Sequence, residues 1–173
     1  MANWYMLTVV GRDQPGIVAE VTDVLFRTGC HLGEASMMRL GGNFTMMLMV
    51  RFDAELASLE SELRPHCEAL QLALHIDAIE GHLHEHQIPN VRVSVHGADR
   101  PGMVAKVTRV LQQQGVNILE LESDVGGSDA LPIFIMHIEG SSPVDVATLQ
   151  QALIELEGQE MDIQVSAIET LVA

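Results

Sequence analysis

Two six-residue stretches carry the groups that could do chemistry: Gly11-Arg12-Asp13-Gln14-Pro15-Gly16 and Gly97-Ala98-Asp99-Arg100-Pro101-Gly102. Each ends an extended apolar run and opens a helical one. The first turn of a helix has unpaired N–H groups and about half a unit of positive charge, which suits a carboxylate. Asp13 or Asp99 beside it accepts hydrogen bonds from an ammonium group, and Gly16 or Gly102 lets a ligand approach the backbone. A free α-amino acid carries both groups. A plainer role stays open, with the aspartates as helix caps and the glycines as turn residues. Just after each helix stop the chain adds a polar residue at a strand start, His31 in the first copy and Asn117 in the second; the plainer role for Asn117 is a strand-end hydrogen bonder.

This is binding chemistry, not catalysis. The chain has no nucleophile elbow, no Walker-type phosphate loop, no CxxC and no histidine pair spaced for a zinc hydrolase. Glu34 and Glu120 recur, but a repeated acid on a repeated strand is more simply a repeated structural contact. The expectation is no enzyme and no cofactor. His82, His84 and His86 alternate, so in an extended segment their rings would project to one side, as zinc or nickel prefers. They stand in a short polar segment with only Glu85 beside them, which makes a solvated linker the simpler reading and a metal site the rival one. Five of the ten methionines crowd together at Met37, Met38, Met46, Met47 and Met49. A soft metal such as Cu(I) would fit such a cluster, but apolar packing in a core or at a contact surface explains it with less.

The elements that must position these residues follow from periodicity and punctuation. Residues 5–10 read as a strand stopped at Gly11. Pro15 then opens a helix whose apolar stripe is Ile17, Val18, Val21, Val24 and Leu25, ending at Gly29. Residues 30–40 and 43–52 are extended runs divided by Gly41-Gly42, a hairpin signal. Asp53 is placed to cap a second helix with Leu56, Leu59, Leu63, Cys67 and Leu70 on one stripe and Pro65 in its last turn, and residues 72–79 close the unit as a strand. After a linker the order repeats: strand 90–96, helix 101–114, a hairpin of 116–125 and 131–139 around Gly126-Gly127-Ser128-Asp129, a helix started by Ser142-Pro143-Val144-Asp145, and strand 162–171. The predicted domains are 1–80 and 90–173, joined by a linker at 81–89.

The repeat can be scored. At an offset of 86, residues 11–34 and 97–120 are identical at twelve of twenty-four positions, where chance would give about one or two. Nine Lys and Arg against twenty-four Asp and Glu leave a net charge of −15, with no Lys or Arg after Arg109. Such a chain repels nucleic-acid phosphates and anionic membrane surfaces, and its six aromatics cannot furnish an RNA-stacking sheet. Cys30 and Cys67 make no disulfide framework. No signal peptide and no apolar stretch of about 18 residues are seen, so the chain reads as soluble and cytoplasmic.

Asp-x-Pro-Gly before an apolar helix, followed by Gly-Val-Asn-Ile, here residues 99–102 and 115–118, resembles the ACT domain, an amino-acid-sensing regulatory module. The resemblance implies an α+β fold of two ferredoxin-like βαββαβ domains in tandem. Two such modules and little else resemble the glycine cleavage system transcriptional repressor family. The resemblance further implies ligand seats between modules: Asp13, Gln14 and Gly16 with Asn117 in one, and Asp99, Arg100 and Gly102 with His31 in the other. His31 departs from the Asn that the family often has, which makes the two seats unequal and favours the one that Asn117 completes. The implied function is amino-acid-responsive regulation through contact with a protein partner, a transcription factor or an enzyme, without direct DNA binding and as a homo-oligomer. The alternatives are a regulatory subunit of an amino-acid metabolic enzyme, or a metal-responsive or scaffolding protein.

Overall fold

The structure, a computed structural model, describes residues 3–80, 87–128, 131–157 and 161–168. It divides into two compact units, Met1–His84 and Glu85–Ala173. The first contains β1 (Asn3–Arg12), α1 (Ile17–Arg27), β2 (His31–Leu40), β3 (Asn43–Phe52), α2 (Leu56–Ala69) and β4 (Leu72–Ile79). The second contains β5 (Val91–Ala98), α3 (Met103–Gln113), β6 (Asn117–Ser128), β7 (Leu131–Ser141), α4 (Val146–Glu157) and β8 (Met161–Ala167). Each is a four-stranded antiparallel sheet, ordered β2-β3-β1-β4 and β6-β7-β5-β8, with two helices against one face. Both units are therefore βαββαβ, the α+β ferredoxin-like order that duplication of one sequence pattern requires.

Period-two burial on β1 sends Tyr5, Leu7 and Val9 to the helices, where Ile17, Val21, Val24 and Leu25 of α1 meet Leu59, Leu63 and Cys67 of α2. The second core repeats this with Val91, Val93 and Val95 against Met103, Val107, Leu111, Leu149 and Leu153. Each fully buried Leu or Val contributes about 1.5–3 kcal/mol, so these stripes hold the turns before α1 and α3 in place. The helices close alike, with Cys30 N–H donating to Leu25 C=O and Val116 N–H to Leu111 C=O at 2.9 and 3.0 Å, the long-range bond of a Schellman stop.

Several local expectations are corrected. Asp53 does not cap α2: the cap position is Glu55, and no side chain bonds there. Pro65 lies inside that helix, which runs on to Ala69. The fourth helix begins at Val146, with Asp145 as its cap through Thr148 N–H at 2.8 Å. Ser142 is instead buried, and its hydroxyl donates to Val144 C=O. Gly126, Gly127 and Ser128 belong to β6, paired with Ile133, Pro132 and Leu131, and do not form the turn. Met46 enters the core, whereas Met37, Met38 and Met47 remain about half exposed. No helix among the described residues is long and apolar enough to cross a membrane.

Candidate ligand-binding turns

The two turns share their backbone. Gly16 and Gly102 occupy the N-cap positions of α1 and α3 with φ of 95° and 90°, and neither helix has a side-chain cap. The glycines are demanded by this left-handed φ; the space a Cβ would enter is open at both. Neither aspartate caps its helix. Each turn therefore ends in uncapped first-turn N–H groups, an electropositive surface for a small anion.

The side chains around the turns differ. In the first copy the Arg39 guanidinium holds Asp13 at 2.5 Å, Asp13 N–H donates to Gly42 C=O at 3.0 Å, and Gln14 Nε2 donates to Leu70 C=O at 2.7 Å. The turn is thus pinned to the β2–β3 hairpin on one side and to the end of α2 on the other. In the second copy Asp99 N–H donates to Pro132 C=O, and the Asp99 carboxylate has no partner among the described residues. Arg100 is engaged.

The strand starts differ in the opposite sense. Asn117 donates to Gln87 Oε1 at 2.7 Å. Asn90, just before β5, clamps the Ser142 backbone: its Nδ2 donates to Ser142 C=O at 2.9 Å and its Oδ1 accepts from Ser142 N–H at 2.8 Å. In the first copy the same register places Trp4, Arg51 and His31 side by side on β1, β3 and β2, on the sheet face away from the helices. Arg51 makes no hydrogen bond or ion pair among the described residues, and its Nε is a buried donor without an acceptor. An unmade buried bond costs about 1–3 kcal/mol, more for a charged group. Sequence spacing could not reveal this row, because only pairing across a bulge between Leu32 and Ala35 brings His31 opposite Arg51.

Within one sheet the turn and the strand start lie at opposite ends: Arg12 pairs with Asn43 while His31 pairs with Arg51, and Ala98 pairs with Ile133 while Asn117 pairs with Ser141. The expected pairings, Asp13 with Asn117 and Asp99 with His31, each draw on residues of both units; within a single module Asp13 stands apart from His31 and Asp99 from Asn117. Elsewhere, an open cleft of 320 Å³ between α1 and α2 is lined by Arg27, Thr28, Ser58, Glu62 and His66. Two of its polar side chains are already engaged, Arg27 with Asp23 at 3.0 Å and His66 Nδ1 with Glu20 at 2.6 Å. Burial raises the Cys30 and Cys67 thiols above their ordinary range. No cluster of three metal-binding side chains occurs among the described residues; His82, His84 and His86 lie outside them.

Comparison with known proteins matches residues 5–77 and 91–154 to models of the ACT domain. The chain is 26% identical over 155 residues to the glycine cleavage system transcriptional repressor of Escherichia coli (strain K12), covering 87% of this chain and 82% of that protein. It is 40% identical over 76 residues to a UPF0237 protein of Methanocaldococcus jannaschii, covering 43% of this chain and 81% of that one. Two solved structures share the fold: an unknown protein from Galdieria sulphuraria, with TM-score 0.76, 24% identity and coverage of 98% of this chain and 100% of that chain, and a putative glycine cleavage system transcriptional repressor, with TM-score 0.72, 19% identity and coverage of 98% and 99%. The duplicated βαββαβ order, the repeated Asp-x-Pro-Gly turn and both model matches agree: this chain belongs to the ACT domain family and carries two ACT domains in tandem.

Proposed function

We propose that this chain is a cytoplasmic regulatory protein that responds to a free amino acid and acts by contact with another protein, a transcription factor or an enzyme, and not by binding DNA. Its modules are residues 1–80 and 90–173, joined by 81–89, and it works as a homo-oligomer. The seat favoured by the sequence, Asp13, Gln14 and Gly16 with Asn117, gives way here to the Asp99 turn, because Asp13 is held by Arg39 and Asn117 by Gln87. One observation carries the reading: Asp99, a carboxylate without a partner among the described residues, stands beside the uncapped first turn of α3 in an ACT domain. An ammonium group on Asp99 and a carboxylate on the N–H groups after Gly102 is the pairing that a zwitterion satisfies. The protein relative named as a transcriptional repressor supports the regulatory role, and the net charge of −15 opposes contact with phosphates. Ligand acts by binding one arrangement of the protein more tightly than another.

The test is a thermal-shift screen of the twenty amino acids on the full chain. A cognate ligand at 100 times its Kd stabilises by about 2.7 kcal/mol. Asp99→Asn abolishes the shift while leaving the unliganded melting temperature unchanged, whereas Asp13→Asn leaves the shift in place. A screen without a single stabilising amino acid, repeated with the partner absent and present, overturns the reading.

A further inference from the structure

We propose that Arg51, with His31 on one side and Trp4 on the other, is a receptor for the carboxylate of a small organic acid. This site lies on the first sheet, away from the helices, and is separate from the turns. Three observations meet there. Register places Trp4, Arg51 and His31 on three adjacent strands in one row, where directly opposed side chains are in contact range. Arg51 is the one guanidinium with a buried nitrogen lacking a partner among the described residues, in a chain with twenty-four acidic residues available to pair with nine basic ones. The other basic side chains of the first unit near acids have taken them: Arg27 with Asp23, Arg39 with Asp13, and Arg64 with Glu60.

The surroundings are shaped to keep the row as it is. The Trp4 indole lies so close to β2 that a Cβ on Gly33 would sit 2.9 Å from its Cζ3 and 3.3 Å from Met49 Cβ. Gly33 thereby allows the ring to lean across β3, walling the Arg51 end of the sheet with a flat apolar surface. Met49, the neighbour of Arg51 on the same strand face, is buried. Arg51, in register with Trp4 and with its Nε buried, brings a fork of N–H donors to this end of the sheet. That favours a planar carboxylate, bound through two parallel bonds, over chloride or a diffuse charge. His31, exposed at the row's edge, supplies a further N–H donor. The second copy has no such receptor: the corresponding positions are Asn90, Ser141 and Asn117, where Asn90 and Asn117 are spent on Ser142 and Gln87.

Trp4 is the only tryptophan of the chain, so its fluorescence reports this row alone. The full chain is titrated at constant ionic strength with sodium acetate, glycine and methylammonium chloride. Acetate and glycine are expected to change the Trp4 emission along saturating curves, and methylammonium to leave it flat. Arg51→Gln is expected to weaken both carboxylates by about tenfold or more, while Arg51→Lys, which keeps the charge but loses the fork, weakens them less. Absence of a saturable response to any carboxylate overturns the proposal, as does an equal response in folded Arg51→Gln. If that variant does not fold, the Arg51 Nε–H resonance of the natural chain decides: acetate moves it and slows its exchange with water, or the site does not exist. The inference stands apart from the amino-acid reading, because acetate has no amine. A silent Trp4 together with an Asp99-dependent thermal shift breaks this proposal alone; the reverse result breaks the other.

Discussion

In the first ACT domain the acidic turn is occupied, with Asp13 on Arg39 and Gln14 on the end of α2, while the strand start leaves Arg51 Nε without a partner among the described residues. In the second, the Asp99 carboxylate has no partner among the described residues, while the strand start is closed by Asn117 on Gln87 and Asn90 on Ser142. The backbones around these groups match, down to the left-handed glycine before each first helix. Duplication has therefore kept the frame and exchanged the polar partners. Among the described residues, one copy offers an unsatisfied guanidinium nitrogen and the other an unpaired carboxylate. The sheet faces away from the helices follow the same division. The first shows Met47, Met38 and Val10; the second shows Arg92 paired with Glu139 and Ser94 bonded to His137.

The largest expected effects test the shared half of this comparison. Leu25 and Leu111 are repeat equivalents, and both are fully buried. Truncating either to Ala removes the same transfer term and leaves a cavity in the same kind of core, costing about 2–5 kcal/mol. Denaturant unfolding followed by amide exchange in each domain should give losses of similar size, each reported first by the domain that carries the change. A loss confined to one of the two variants would mean that the cores are not equivalent and that the symmetry of the frame is superficial.

Gly33→Ala comes next and tests the difference. The added Cβ collides with the Trp4 ring and the Met49 stem, and overpacking of this kind costs about 1–3 kcal/mol. The diagnostic readout is the emission of Trp4, which should move to longer wavelength as the ring is pushed off β2 into water. Gly16→Ala and Gly102→Ala serve as controls without steric contact, each costing about 1–2 kcal/mol through φ alone. If Gly33→Ala left the Trp4 spectrum untouched, the wall beside Arg51 would not depend on that close approach.

The elements of both domains were readable from sequence because their signals are local. Gly41-Gly42 between two extended runs fixes the turn of the β2–β3 hairpin, where Leu40 pairs with Asn43, and the helical stripe from Ile17 to Leu25 fixes α1. The turns were readable for the same reason, since Asp-x-Pro-Gly is a contiguous signal repeated at one offset. What the turns do was not. Whether Asp13 is free or held depends on Arg39, which reaches it only after the β2–β3 hairpin folds back. The start of α4 failed for a different reason: Ser142 and Asp145 both qualify as caps, and burial decides between them by turning the Ser142 hydroxyl onto Val144. Arg51 was unreadable outright, because its neighbours Trp4 and His31 are set by register across three strands and a bulge.

Asp13→Asn is a smaller test. The Arg39 side chain is mostly exposed, so the ion pair contributes about 0.2–1 kcal/mol. Breaking it should leave the melting temperature within a few degrees while loosening the hairpin turn, seen as faster exchange of amides near Gly41 and Gly42. The equivalent change at Asp99 should alter neither. A melting-temperature loss at Asp99→Asn larger than at Asp13→Asn would mean that the free carboxylate has a structural partner and that the contrast between the two turns is wrong.

The smallest effect separates the two domains by pH, at equivalent helices. In α2 burial holds the Cys67 thiol above its ordinary range; the raised value means that the folded state prefers the neutral form. That stability is fully present below the unfolded thiol value and is lost as pH rises through the folded one. At the start of α4 the N–H of Thr148, donating to Asp145, holds its carboxyl below the usual range. This contribution has the opposite sign: it is present above the unfolded carboxyl value and is lost as pH falls through the folded one. Amide exchange read by domain should therefore show α4 loosening toward acid, an effect that Asp145→Ala removes, and α2 loosening toward alkali, an effect that Cys67→Ala removes at some cost in packing. Below the raised thiol value the neutral form also resists alkylation, so Cys67 should react with iodoacetamide only as fast as the first domain opens. Fast labelling of Cys67 at neutral pH in a folded sample would show that its burial does not protect it, and the assignment of the alkaline limb to the first domain would fall with it.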